Sequence, residues 1–79
     1  MKFPRDVSGN DVIKILSKFG YTITRQHGSH IRLTNKNEKG EHHVTIPNHR
    51  TISIGTLSGI VNDVSEFLNV EKEEIISLM

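Results

Sequence analysis

The chain has 79 residues, which is enough for one small domain. It contains no cysteine, so disulfides, thiol catalysis and cysteine-ligated zinc are excluded, and a reducing cytoplasm is compatible with this composition. No apolar run approaches the roughly 20 residues of a transmembrane helix, and the N-terminal MKFPRDVSGN lacks the apolar stretch of a signal peptide. We therefore expect a single cytoplasmic domain over residues 1–79, with no membrane partner.

Charge is distributed unevenly along the chain, although the formal net charge is only +1. Nine of the ten Lys and Arg residues and all five histidines lie between Lys2 and Arg50, against four acids. From Thr51 onward there is one basic residue, Lys72, against five acids. The first two thirds of the chain are therefore the part that we expect a polyanion to contact.

The first predicted element is a helix that follows Ser8. Ser8 and Asp11 form an S-x-x-D start signal, in which the Ser hydroxyl is free to cap a backbone N–H. Gly20 supplies a left-handed stop after the helix. The apolar positions between them recur at helical spacing and predict one buried stripe: Val12, Ile15, Leu16 and Phe19.

Three strand-like runs come next, at residues 21–26, 31–34 and 42–47. The first two are rich in Tyr, Ile and Thr, and the third alternates and stops at Pro47, which cannot donate to a strand ladder. The polar sequence NKNEKG at 35–40 predicts a turn between the second and third strands. Short connections of this kind favour an antiparallel meander.

The last third returns to helical spacing. One predicted helix covers SIGTLSGIVNDVSEFL, and a short acidic helix follows in residues 69–79. The order α-β-β-β-α with a short C-terminal helix predicts an α+β domain, with two helices on one face of a three-stranded antiparallel sheet and the other face open. The predicted core stripe of the longer helix comprises Ile54, Leu57, Ile60, Val61, Val64, Phe67 and Leu68.

Two registers are possible for the first hairpin, which contains the sequence RQHGSHIR. A two-residue type II′ turn at Gly28-Ser29 pairs His27 with His30 and Arg25 with Arg32, but it mixes polar and apolar residues on both faces farther along the strands. A three-residue tip instead pairs Gln26 with His30 and gives a clean apolar face. We favour the three-residue tip, which places Arg25 on the core side near the rim and His27 in the tip.

Both registers send His30 and Arg32 to the same face, because the two residues are two apart in a strand. His43 is predicted to share this open face, since Val44 and Ile46 occupy the core side. A positioned imidazole can remove the proton of an RNA 2′-hydroxyl, and a nearby guanidinium can stabilise charge on the phosphoryl oxygens, with no metal required.

Less specific roles for these residues remain open. Histidine at a hairpin tip is usually an ordinary polar turn residue, and the basic residues are also compatible with a solvated surface. A metal site is an alternative as well, but the adjacent His42 and His43 point to opposite faces. The five histidines that such a site would draw on are His27, His30, His42, His43 and His49.

Several motifs together resemble the HicA family of toxins from toxin–antitoxin pairs. They are Gly20-Tyr21, then Arg25-Gln-His-Gly-Ser-His30, then Pro47-Asn-His49, and finally Gly55-Thr-Leu57. The resemblance covers about residues 8–68. It implies a fold like that of a double-stranded-RNA-binding domain and the activity of an mRNA interferase, an endoribonuclease that cleaves mRNA.

The resemblance also implies roles for individual residues and partners. His30 matches the His that is the proposed catalytic residue of the family, and a HicB-like antitoxin would cover it. The resemblance and the chemistry of the open face together predict a metal-independent endoribonuclease without a cofactor. Arg25 and Arg32 are the predicted phosphate contacts, and His43 and His49 are predicted accessory RNA contacts. Gly28 and Ser29 would shape the turn. The alternative is a non-catalytic RNA-binding module of the same fold.

Overall fold

The described chain folds as α-β-β-β-α with a short C-terminal helix, as predicted from the sequence. The computed structural model describes residues 3–79, and within them the elements are α1 (Gly9–Ser17), β1 (Thr22–His27), β2 (His30–Asn37), β3 (Gly40–Pro47), α2 (Ile54–Leu68) and α3 (Lys72–Ile76). Met1 and Lys2, which the predicted domain and the count of basic residues include, lie outside the described residues. The α+β class is therefore confirmed. No helix among residues 3–79 has the length and hydropathy needed to cross a membrane.

Helix α1 begins at the predicted capping signal. The Ser8 hydroxyl accepts a hydrogen bond from the Asp11 backbone N–H at 3.1 Å, and the Asp11 carboxylate accepts one from the Ser8 N–H at 3.0 Å. These two bonds to Ser8 hold the pKa of Asp11 below its ordinary value. Gly20 has φ +97, the left-handed conformation expected of a residue that turns the chain from α1 toward β1.

The three strands form one antiparallel sheet in the order β1-β2-β3, so β1 and β3 are its two edges. The apolar residues of β2 and β3 that point to the helices are buried, including Leu33, Val44 and Ile46. Helix α3 contributes Ile75, which is fully buried in the same core. Ile54 departs from the predicted stripe: it is 47% exposed, because it stands at the first position of α2, beyond the sheet-facing part.

The second and third strands are longer than predicted. β2 starts at His30 and continues through Asn37, which pairs with Gly40 at the start of β3. The turn predicted over residues 35–40 is therefore only the two residues Glu38 and Lys39. Lys36 and Asn37 of β2 and Gly40 and Glu41 of β3 are exposed, so the ladder extends here without apolar side chains to bury.

The predicted register of the first hairpin is wrong at its tip. His27 pairs with His30, Gln26 with Ile31, and Arg25 with Arg32, as a two-residue turn requires. Between Ile23 and Arg25 the register shifts by one, so that Ile23 lies opposite Leu33. Thr24 is therefore the extra residue of a β-bulge. This bulge allows a two-residue turn at the tip and an apolar face farther along the same hairpin.

Candidate nucleic-acid interface

A shallow pocket lies on the open face of the sheet, next to the β1–β2 turn. Its volume is about 230 Å³, and it is lined by Arg25, His27, His30, Arg32 and Thr45. The first two residues come from β1, the next two from β2 and the last from β3. The strand pairing explains the set: Arg25 is opposite Arg32, His27 is opposite His30, and Arg32 is opposite Thr45.

Two features of the hairpin place the β1 side chains in this pocket. Gly28 has φ +61 at the first turn position, while Ser29 does not have positive φ, as in the type II′ turn that suits a two-residue hairpin. The bulge at Thr24 then sends Arg25 and Ile23 to opposite faces, although they are two residues apart. Without the extra residue, Arg25 would have followed Ile23 to the helix side.

The pocket is electrostatically suited to an anion. Arg25 and Arg32 face each other directly, and like charges in opposed strand positions destabilise a sheet. Within residues 3–79 neither guanidinium makes an ion pair, because the only carboxylate in an ion pair there, that of Glu41, contacts Lys36 and His43. The residues that line the pocket include no carboxylate. A bound phosphate would supply the missing negative charge.

The turn beside the pocket is braced from the far end of β3. The Asn48 N–H donates to the Ser29 carbonyl at 2.6 Å, and the Gly9 N–H of α1 donates to the His49 carbonyl at 2.9 Å. Gly9 permits this close approach, because a Cβ at that position would lie 2.6 Å from the Pro47 carbonyl oxygen. Helix α1 therefore fixes the segment Asn48-His49, and this segment fixes the Gly28-Ser29 turn.

His43 lies on the open face, as predicted, but both of its ring nitrogens have partners. Its Nδ1 is 2.8 Å from the Thr34 hydroxyl, which is also 2.7 Å from the Thr24 hydroxyl. Its Nε2 is 3.3 Å from the Glu41 carboxylate, whose other oxygen is 3.3 Å from the Lys36 ammonium. The hydrogen bond with Lys36 is the main reason why the pKa of Glu41 lies below its ordinary value. This network ties the bulge to β3 and lies outside the pocket.

The remaining histidines are in separate places. His42 points to the helix side, where its Nδ1 is 2.6 Å from the buried Tyr21 hydroxyl and its ring stacks on Phe67 with centroids 4.9 Å apart. His49 is exposed in the segment after β3. Within residues 3–79, His, Cys, Asp and Glu side chains form no group of three that could hold a metal ion.

The predicted site residues are thus only partly brought together. His30, Arg32 and Arg25 share the pocket, and Gly28 and Ser29 form the turn beside it, whereas His43 and His49 are outside. Arg25 was expected on the core side and lies on the open face instead, because of the bulge. His27 was expected in the tip and is a second imidazole of the pocket. For both Arg25 and His27, the sequence signal was the Gly28-Ser29 dipeptide, because a two-residue turn there pairs them with Arg32 and His30.

Comparison with known proteins supports the resemblance seen in the motifs. The chain matches the family described as HicA toxin of bacterial toxin-antitoxin over residues 9–65, from the start of α1 to near the end of α2. No significant match was found among curated proteins or among solved structures. The matched span includes the whole sheet, the pocket and the turn. The chain therefore belongs to the HicA toxin family, the toxin half of a toxin–antitoxin pair that includes a cognate antitoxin.

Proposed function

We propose that this toxin is a metal-independent endoribonuclease that cleaves mRNA, with His30 as a general acid/base. One observation carries the proposal: an exposed imidazole, that of His30, shares with Arg25 and Arg32 a pocket whose lining lacks carboxylates. Imidazole exchanges protons near neutral pH, and guanidinium groups form strong charge-assisted hydrogen bonds to phosphate. RNA cleavage needs both proton transfer and stabilisation of charge on the phosphate.

RNA supplies its own nucleophile, the 2′-hydroxyl next to each phosphodiester. His30 accepts the proton of that hydroxyl, and the oxygen then attacks the neighbouring phosphorus. The P–O5′ bond breaks, and the departing 5′-oxygen is protonated. Negative charge grows on the non-bridging phosphoryl oxygens as the bond forms. Arg25 and Arg32 stabilise this charge, and because they are opposed on fixed strands, they need little rearrangement to do so.

His43 and His49 are accessory candidates for RNA contact. β3 runs from Gly40 past His43 to Pro47, which lies opposite His30, and His49 follows two residues later. Along the chain, the two histidines therefore come before and after Thr45, the β3 residue that lines the pocket. A single RNA strand crossing the pocket in this direction would meet both, although the ring nitrogens of His43 are already engaged with Thr34 and Glu41.

The cognate antitoxin would act most directly at the same pocket. We assign it the role of a HicB-like protein that covers His30 and offers carboxylates to Arg25 and Arg32. The two arginines support this role, because within residues 3–79 they have no ion-pair partner to displace. Antitoxin and RNA would then compete for one surface.

The decisive experiment compares cleavage and binding in the wild type and His30→Ala. The purified toxin is incubated with single-stranded RNA in the presence of a chelator, and binding is measured separately by mobility shift at low salt. We expect the wild type to cut and His30→Ala to bind with nearly unchanged affinity while cutting roughly 10²–10⁴-fold more slowly. His30 is exposed, so the variant should keep its fold.

Lys39→Ala is the matched control, because Lys39 is an exposed residue of the β2–β3 turn at the other end of the sheet. It should cut RNA at the wild-type rate. If the wild type binds RNA but leaves it intact, the protein is the non-catalytic RNA-binding module and the enzyme proposal is wrong. Cleavage that the chelator abolishes would contradict metal independence.

A further inference from the structure

His27 is the one pocket histidine to which the proposed function gives no role. It lies directly opposite His30 across the type II′ turn, on the same face of the sheet. Side chains in directly opposed positions of an antiparallel pair have Cβ atoms about 4.5–5.5 Å apart. The two imidazoles therefore border the same small space and can both approach one phosphodiester.

Cleavage of RNA by its own 2′-hydroxyl requires two proton transfers. The 2′-oxygen loses its proton as the new P–O2′ bond forms, and the 5′-oxygen gains a proton as the P–O5′ bond breaks. The products are a 2′,3′-cyclic phosphate and a free 5′-hydroxyl, and the total number of protons is unchanged. One imidazole serves one of these transfers, so an efficient site has a second group for the other.

The composition of the pocket leaves one residue for the second transfer. Of the other lining residues, Arg25 and Arg32 carry guanidinium groups, which donate hydrogen bonds but do not act as proton donors in proteins, and the Thr45 hydroxyl is a poor acid. From β3, the other facing residue is Pro47, opposite His30, which has no titratable group. His27 is thus the only lining residue besides His30 that can both give and take a proton near neutral pH.

Two further observations separate His27 from His43. His43 lies opposite Thr34, four residues from His30 along β2, which is about 13 Å at the usual strand rise. Its ring nitrogens are engaged by Thr34 and Glu41. Within residues 3–79, by contrast, neither His27 nor His30 has a side-chain hydrogen-bond partner, so both imidazoles are available to a substrate.

We propose that His27 is a second catalytic residue, the general acid that protonates the leaving 5′-oxygen while His30 takes the proton of the 2′-hydroxyl. The assignment rests on the proposed ribonuclease function and adds a specific residue to it. His27 belongs to the edge strand and His30 to the central strand, so the two groups approach the phosphorus from different sides. Arg25 and Arg32 hold the phosphate between them.

The test uses an RNA oligonucleotide that the wild type cuts at a mapped position, and a second copy in which sulfur replaces the 5′-oxygen at that position. A thiolate leaves without being protonated, so the sulfur substrate does not need a general acid. We expect His27→Gln to cut the oxygen substrate roughly 10²-fold more slowly than the wild type and the sulfur substrate at nearly the wild-type rate. His30→Ala should be slow on both substrates.

A matched control moves the imidazole to the other face without changing the composition. Gln26 is exposed and pairs with Ile31 on the helix side, so the double variant Gln26→His, His27→Gln keeps one imidazole in β1 but points it away from the pocket. We expect it to match His27→Gln on both substrates. Thermal unfolding should show that both variants fold.

The outcomes distinguish the two proposals. If the wild type cuts the oxygen substrate and His27→Gln cuts it equally fast, His27 is not the acid, and the ribonuclease proposal stands. The same conclusion follows if His27→Gln is slow on both substrates, or if the double variant recovers activity. If the wild type cuts no oxygen RNA at all, both proposals are wrong.

Discussion

Arg25 and Arg32 lie directly opposite each other on β1 and β2, with both guanidinium groups on the open face of the sheet. This arrangement is unfavourable for the free protein, because like charges in opposed strand positions repel. It is favourable once a phosphate lies between the two groups. The pocket therefore concentrates positive charge at a cost to the stability of the sheet.

Replacing Arg25 by Gln should stabilise the protein and weaken RNA binding. We expect the free energy of unfolding to rise by roughly 0.2–1 kcal/mol, because the repulsion with Arg32 is removed. A plot of the logarithm of RNA affinity against the logarithm of salt concentration has a negative slope. The magnitude of this slope should decrease by about 0.7, the effect of one lost phosphate contact on a single strand. Urea unfolding and RNA binding at several salt concentrations measure the two effects. Lys39→Gln, at the far turn, should change neither, and a less stable Arg25→Gln would contradict the repulsion.

Replacing Gly9 by Ala should destabilise the protein and lower its activity together. The new Cβ would meet the Pro47 carbonyl oxygen at 2.6 Å and the Asn48 Cα at 2.8 Å, both of them backbone atoms that cannot rotate away. We expect a loss of about 1–3 kcal/mol in unfolding free energy, as for other overpacked sites. Movement of Asn48 also disturbs its bond to Ser29, so cleavage should slow in the fraction that remains folded.

The matched control for Gly9→Ala is Gly59→Ala. Gly59 lies within α2, and a Cβ there would have no atom within 4 Å. Alanine has the higher helix propensity, so this variant should be more stable by up to about 1 kcal/mol, with unchanged cleavage. Equal effects of the two substitutions would show that the contact of Gly9 with the segment after β3 has no importance.

Tyr21 should titrate late and report on the integrity of the core. Burial, with a smaller effect of the Asp63 carboxylate, raises the pKa of Tyr21 to about 12. The folded state thus favours the neutral phenol, and its contribution to stability is fully present below the unfolded pKa of about 10 and is lost as pH rises through about 12. Tyr21 is the only tyrosine and the chain has no tryptophan, so phenolate absorbance follows this group alone. A midpoint near the ordinary value in the folded protein would contradict its burial.

The sequence was sufficient to predict most of the fold. The S-x-x-D signal at Ser8, the helical spacing after Ser53 and the stop at Pro47 are local patterns, and the structure has the corresponding elements. The shared face of His30 and Arg32 also followed from strand alternation alone. These features were predictable because each depends on residues that are close in sequence.

The register of the first hairpin was not predictable by the same reasoning. Each of the two candidate registers satisfies one half of the hairpin: the two-residue turn fits residues 25–32, and the three-residue register fits Ile23 with Leu33. A single register for the whole hairpin was bound to be wrong in one half, because the bulge at Thr24 lets the hairpin use one register on each side of it. The partners of His43 depend on this register and on side-chain conformations across three strands, so they were not predictable either.

Because β1 is an edge strand of the sheet, the completeness of the pocket and the folding of the hydrophobic core are separate properties of this protein. Its residues are exposed along the whole strand, and it pairs only with β2, whereas β2 and β3 carry the buried side chains that hold the helices. Local opening of this edge would remove Arg25 and His27 from the pocket and leave the hydrophobic core intact. A toxin built in this way can therefore keep its core folded while the pocket is incomplete, so loss of the pocket does not require that the whole protein be unfolded.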